Sequence, residues 1–213
     1  MDDFTQLNVA KFLDQVADRT PTPGGGGVTG LAGAAACAMG RMVAAYSVGK
    51  KTGPEKRRQV EAVMAHLARA DQLMRALITR DAEAYKTMAD AAKAKGEDPS
   101  TQSAYQDAVL AAIAVPMEMA AISSAALSTM AEFAGIASKY LISDLGIAAV
   151  LADAAARAAA YSVLVNAREI TDASVKAKVL SDLGAMLEHC AQHRESIEAT
   201  VADRLEIDPP ASR

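Results

Sequence analysis

Residues 21–27 read Pro-Thr-Pro-Gly-Gly-Gly-Gly. Two prolines followed by four glycines break any helix, because proline lacks an N–H donor and consecutive glycines hold no fixed backbone conformation. One consequence is a plain helix-to-helix connection. The other is chemical: main chain without side chains lets a ligand approach the N–H groups, and the N-terminus of a following helix favours negative charge. The run is not a phosphate-binding P-loop, since Lys-Ser/Thr is absent at the required spacing. Nor is it a dinucleotide fingerprint, because no strand precedes it. Further along, Gly49-Lys50-Lys51 places two cations at a helix exit, where they suit either an anionic ligand or the helix end itself. Asp81 and Glu83 are spaced by two and cannot share one helix face, so at most one of them points into a given site. Ser143 and Asp144 are good helix caps. Arg41 lies within a run of small residues and needs a partner if buried; Asp153 or a ligand carboxylate would serve. His189 and His193 have i, i+4 spacing, but without a glutamate between them a surface pair is the expectation rather than a metal site. Cys37 and Cys190 form neither a disulfide framework nor a zinc motif.

The elements that would position these groups are all helical. Alanine dominates, proline falls mostly at borders, and β-branched alternation is absent. The expected helices cover about Asn8–Asp18, Val28–Val48, Pro54–Lys95, Ser100–Phe133, a fifth starting at Ser143 or Asp144 and ending near Arg168, and Asp172–Leu205. The third could be interrupted near Thr79–Asp81, and Pro116 should kink the fourth. The tail from Asp208 should fray. Six mostly long helices with short connections predict an all-α bundle, up-and-down or orthogonal, with residues 1–213 as a single domain.

The 213 residues carry a formal charge of -4. That gives no basic footprint for nucleic acid and no polybasic membrane patch. Residues 28–48 and 147–165 are long and weakly polar, but they carry Arg41, Asp153 and Arg157. A charge at mid-span costs roughly 2.5–3.5 kcal/mol on insertion scales, so both are expected to be buried helices of a soluble protein. The acidic start Met1-Asp2-Asp3-Phe4 shows no secretory pattern. With two unpaired cysteines, a reducing, cytoplasmic setting is expected. The second and fifth helices are apolar nearly all round, which predicts a homodimer to cover them.

Taken in order, these segments resemble the family of formiminotetrahydrofolate cyclodeaminases and methenyltetrahydrofolate cyclohydrolases. The glycine run, the small-residue helix and Gly49-Lys50-Lys51 carry the likeness. Asp81-Ala82-Glu83-Ala84-Tyr85, Val115-Pro116, Ser143-Asp144 and Val165-Asn166 extend it over about residues 12–172. The chain departs from the pattern at Gly27, where many cyclodeaminases have Ser and the stand-alone cyclohydrolases are expected to have glycine. It departs again at Ser138 and Tyr140, where the family often has Asn-x-Asn. The resemblance implies hydrolysis of 5,10-methenyltetrahydrofolate to 10-formyltetrahydrofolate, with release of ammonia from 5-formiminotetrahydrofolate as the alternative. A non-catalytic folate-binding scaffold is a third possibility. The implied catalytic residues are Asp144, then Asp81, with Lys50 assisting proton transfer. Pro23, Gly24, Gly25, Gly26, Gly27, Lys51, Ser143 and Asn166 are implied to bind substrate, with Lys50 or Lys51 meeting the glutamate carboxylates. No metal or cofactor is implied beyond the folate substrate.

Overall fold

The computed structural model describes residues 4–207. After a 3-10 turn at Phe4–Gln6, six α-helices follow: α1 (Val9–Ala17), α2 (Gly25–Ala45), α3 (Pro54–Ala94), α4 (Pro99–Ala134), α5 (Ile142–Ala167) and α6 (Ala173–Leu205). A second 3-10 turn, Lys139–Leu141, precedes α5. Local chemistry sets most of the starts. Asn8 caps α1 by accepting from the Lys11 N–H at 2.9 Å. Asp98 accepts from Ser100 at the head of α4, and Asp172 from Ser174 and Val175 at the head of α6. Pro54 occupies the first turn of α3, where its missing N–H costs nothing. The fraying expected from Asp208 onward lies outside the described residues.

Three boundaries differ from expectation. Helix α2 begins at Gly25 rather than Val28, so three of the four glycines form its first turn, and it ends at Ala45. Packing of this turn against α3 outweighs the poor helix propensity of glycine. Helix α3 runs unbroken through Thr79–Asp81, and α4 continues through the buried Pro116. Ser143 and Asp144 do not cap α5. Leu141 holds that position without a side-chain cap, and Asp144 falls in the first turn.

Helices α2, α3, α4 and α5 form a ring, each packing on the next and α5 closing on α2; α6 lies in the groove between α4 and α5. Residue pairings give an up-and-down course. Gly40 meets Leu67 while Gly30 meets Ile78, so α2 and α3 are antiparallel. Tyr105 and Asn166 reach Glu169 and Ala112, pairing α4 against α5 in the same sense. Arg194 pairs with Asp153, and Gly146 approaches Val201, so α6 runs against α5. The core is largely alanine on α5 and larger residues elsewhere, including Phe133, Leu67, Met74, Met119 and Leu127. By length and composition alone, α2, α4 and the Lys139–Ala167 segment could cross a membrane, and about half of each is buried inside this bundle.

Arg41 does not pair with Asp153, and its side chain is partly exposed. It pairs at 3.5 Å with the buried Asp71, which also takes a bidentate contact from Arg75 at 2.6 and 3.1 Å. Asp153 pairs with Arg194 and Arg157 instead. Burial pushes the Cys37 thiol up to about 12, with Asp71 adding to the effect, and the Cys190 thiol up to about 11. Both cysteines are free and stay protonated at neutral pH.

The seam between α2 and α3 is built on glycine. A methyl group at Gly30 would lie 2.6 Å from Ile78 Cγ1 and 3.1 Å from the Met74 carbonyl oxygen. One at Gly33 would lie 2.7 Å from Met74 Cε. Gly184, exposed on α6, has nothing within 4 Å of the same position. The same substitution therefore has opposite signs at the two sites. Gly30→Ala is expected to lose about 1–3 kcal/mol through overpacking. Gly184→Ala is expected to gain about 0.5–1 kcal/mol of helix propensity. Urea denaturation of both variants checks this, and equal shifts would show that the seam is not close-packed.

Candidate active site

The start of α2 needs partners for its N–H groups. Val28 donates to Gly24 at 3.1 Å, which opens the helix ladder and leaves the N–H groups of the first turn without carbonyls inside the helix. Gly24, at the cap, has no side chain to supply one. Opposite this turn α3 presents Asp81. The approach is so close that a methyl group on Gly26 would overlap the Asp81 carboxylate. Gly26 is therefore required by the carboxylate it faces. Gly27, buried, turns the other way, toward Pro23 and Phe12.

Asp81 opens into a cavity of about 400 Å³, within the range of small-molecule sites. Three walls line it. The loop and α2 give Pro21, Thr22 and Gly24–Gly26; α3 gives Asp81, Tyr85 and Met88; α4 and α5 give Ala112, Ser162, Val165 and Asn166. The spacing 81, 85, 88 is one face of a helix, as is 162, 166. Asp81 is the one charged side chain among these residues. Burial raises its pKa above the ordinary carboxylate value. Asn166 donates from Nδ2 to the Ala112 carbonyl at 3.4 Å, which leaves its Oδ1 free to accept. Glu83 is exposed beside the site, in keeping with the two-residue spacing.

The sequence-expected site residues thus fall into two groups. Gly24, Gly25, Gly26, Asp81 and Asn166 converge on the cavity, and Pro23 is buried under its rim. Lys50, Lys51, Ser143 and Asp144 do not join them. They sit beyond the other end of α2, where the Ser138 N–H donates to Ser47 Oγ at 2.7 Å and ties the turn before α5 to the exit of α2. The 21 residues of α2 put about 30 Å between the groups. Asp144 therefore cannot act in the Asp81 cavity of its own chain. Ser162, Met88 and Ala112 were not anticipated; the i, i+4 relation of Ser162 to Asn166 and the i+7 relation of Met88 to Asp81 were the available signals. Among the described residues no group of three or more His, Cys, Asp or Glu side chains could hold a metal ion. His189 and His193 meet edge to face with ring centroids 5.4 Å apart.

Set beside known proteins, this arrangement has a clear place. Residues 8–185 match the formiminotransferase-cyclodeaminase family model, and the chain belongs to that family. It is 28% identical over 201 residues to a methenyltetrahydrofolate cyclohydrolase of Methylorubrum extorquens, covering 92% of this chain and 97% of the relative. It is 26% identical over 199 residues to the formimidoyltransferase-cyclodeaminase of Sus scrofa, covering 92% of this chain but 36% of that longer enzyme. In three dimensions it is similar to the crystal structure of a formiminotetrahydrofolate cyclodeaminase from Thermotoga maritima. The TM-score is 0.87 at 27% identity, covering 94% of this chain and 98% of that one.

The half-buried Asp81 has a measurable cost. At pH below the ordinary carboxylate range it is protonated in folded and unfolded chains alike. As pH rises through its raised pKa, the folded state must hold a poorly hydrated charge that the unfolded chain carries in water. The loss grows as pH rises through that raised pKa and is complete above it. Asp81→Asn is therefore expected to raise Tm at pH 7 and to leave it little changed near pH 3. Thermal unfolding monitored by circular dichroism at the two pH values decides this, and a lower Tm at pH 7 would contradict it.

Proposed function

We propose that this chain hydrolyses 5,10-methenyltetrahydrofolate to 10-formyltetrahydrofolate. The chain is an enzyme of one-carbon folate chemistry, as its family and its relatives' activities indicate. The observation that carries the finer reading is Asp81, a lone carboxylate in an otherwise uncharged cavity against the glycine turn. The methenyl bridge is a delocalised amidinium cation, and a single anion in a poorly solvated site stabilises it beside the carbon that reacts. Water adds to that carbon. Asp81 accepts a proton from the attacking water, and the carbon–N5 bond breaks as N5 takes up a proton. One proton is released to solvent overall. Tyr85 offers a flat face to the pterin ring, and Asn166 Oδ1 an acceptor for its N–H groups. No metal or redox cofactor takes part in this scheme. Asp144, the first choice from sequence, has no part in it within one chain.

The end-to-end match to a stand-alone cyclohydrolase, together with glycine at position 27, supports hydrolysis over deamination. The second reading, cyclodeamination with ammonia release, is favoured by the likeness to the Thermotoga maritima enzyme. In that reaction N10 attacks the same carbon, so Asp81 serves both.

The proposal treats residues 1–213 as one helical domain working as a homodimer in a reducing, cytoplasmic setting. It has a folate as its ligand, and neither nucleic acid nor membrane as a partner. Helices α2 to α6 pack on one another, Phe12 of α1 packs with Ile78 and Ala82 of α3, and both thiols are buried and free. The outer faces of α2 and α5 leave Val28, Tyr46, Ile147 and Tyr161 exposed, which a second copy would cover.

Loss of the methenyltetrahydrofolate chromophore should be accelerated by the wild-type protein. Asp81→Asn should lower kcat/KM by about 10²-fold or more. Wild-type kcat/KM should fall as pH drops through the raised Asp81 pKa, because the ionised form is the active one. Asp81→Asn should lack that limb. No acceleration over buffer, with ammonia released from the formimino substrate, would move the assignment to cyclodeaminase.

A further inference from the structure

Pro116 is buried inside α4, in a helix interior that ordinarily excludes proline. In an α-helix the N–H of residue i donates to the carbonyl of residue i−4, so residue 116 would normally serve the carbonyl of Ala112. Proline has no N–H to give, and its ring crowds that carbonyl. Ala112 is 6% exposed, and a buried carbonyl without a donor is costly. Yet α4 runs unbroken from Pro99 to Ala134 through this point. The donor comes from another helix: Asn166 Nδ2, near the end of α5, approaches the Ala112 oxygen at 3.4 Å. Ala112 and Asn166 both line the Asp81 cavity.

The end of α5 is held to α4 independently of this contact. Gln106 Nε2 donates to the Glu169 carbonyl at 3.0 Å, and Gln106 Oε1 accepts from both the N–H and the hydroxyl of Thr171 at 3.0 Å. The Tyr105 hydroxyl donates to the Glu169 carboxylate, also at 3.0 Å. Within the turn, the Glu169 N–H donates to the Asn166 carbonyl at 3.0 Å. These bonds fix the backbone that carries Asn166, and the direction of its side-chain amide is left for Ala112 to decide. A carbonyl oxygen accepts and never donates, so the amide group facing it must be the NH2. Oδ1 is then the atom left for a ligand.

We propose that Pro116 is a positioning residue. By withholding an N–H from Ala112 it frees the carbonyl that orients Asn166, so that Asn166 offers a ligand Oδ1, an acceptor, rather than its NH2. This rests on the folate reading above. The consequence is selective. The pterin ring of a reduced folate carries N–H and NH2 donors along one edge, which Oδ1 accepts and an outward-facing NH2 would oppose. With any residue other than proline at 116, the Ala112 carbonyl is satisfied along α4 itself. The Asn166 amide then loses the contact that tells its two ends apart.

Restoring the missing donor tests the proposal. Pro116→Ala should raise KM for methenyltetrahydrofolate by about threefold to tenfold, the worth of one hydrogen bond. Its kcat should stay within about twofold of wild type, because the contact is lost equally from ground and transition states. Pro116→Val, which restores the same N–H while filling more of the proline's volume, should behave alike. Asn166→Ala should raise KM by a similar factor, and the Pro116→Ala, Asn166→Ala double variant no further, since both act through one contact. An unchanged KM in the Pro116 variants, a fall in kcat alone, or multiplied effects in the double variant would overturn the positioning role. If the wild-type protein turns over neither folate, the functional reading fails, and crystal structures of wild type and Pro116→Ala then decide the positioning. In the variant, residue 116 should donate to the Ala112 carbonyl with the Asn166 amide turned away from it. Asn166 Nδ2 still on that carbonyl in the variant would overturn the proposal.

Discussion

The close approach of α2 to α3 is the constraint on which the rest of the structure depends. Gly26, Gly30, Gly33 and Gly40 recur at helical spacing along one side of α2 and meet Asp81, Ile78, Met74 and Leu67 in turn. A helix with this much glycine is intrinsically poor, at about 0.5–1 kcal/mol per position relative to alanine. It persists because the side chains of α3 fill the space that the glycines vacate. That interlock sets the register of α2 on α3. Register in turn fixes where α2 begins, and Asp81 meets α2 only at that beginning. The site is therefore a product of helix packing: shifting the seam by one turn would move the carboxylate some 5 Å away from the glycine turn.

Two electrostatic effects meet at Asp81 with opposite signs. The N-terminal turn of α2 favours an anion, whereas removal from water disfavours one, and burial prevails. Contrast Asp71, ten residues and nearly three turns earlier on α3. It is more deeply buried, yet two arginines engage it, and the pair-and-a-half is closed within the chain. Asp81 has no such partner among its neighbours. A half-buried carboxylate left without a cation is stable only if the surrounding fold over-determines its position, and in the proposed reaction the cation that completes it is the substrate. The same helix thus carries one acid used for structure and one held open for chemistry, distinguished by what faces them.

Much of this was legible in the sequence because helix formation is local. Alanine content, capping residues and border prolines gave six helices with starts close to those observed. The glycine run and Asp81 were legible as a ligand-approachable turn and a carboxylate. What local reasoning missed were the effects of distant residues. Propensity alone ends a helix at four glycines, and only Asp81 and Ile78, some fifty residues later, show why Gly25–Gly27 are helical. Arg41 was matched to the wrong acid because its true partner, Asp71, is set by the α2/α3 register. Asp144 looked like a cap because it follows a loop. The 3-10 turn at Lys139–Leu141 starts the helix earlier and leaves Asp144 inside the first turn.

The separation of the expected site residues into two ends is itself informative. Helix α5 is apolar almost all round, and a ring of four helices with α6 outside can bury only its inner and α6-facing sides. The remaining stripe joins the outer side of α2, which also lacks charge. Solvating such a surface forfeits the hydrophobic free energy that the same residues gain elsewhere in the bundle, at about 25 cal/mol per Å². A chain under pressure only to fold would place lysine or glutamate there at little cost to the core.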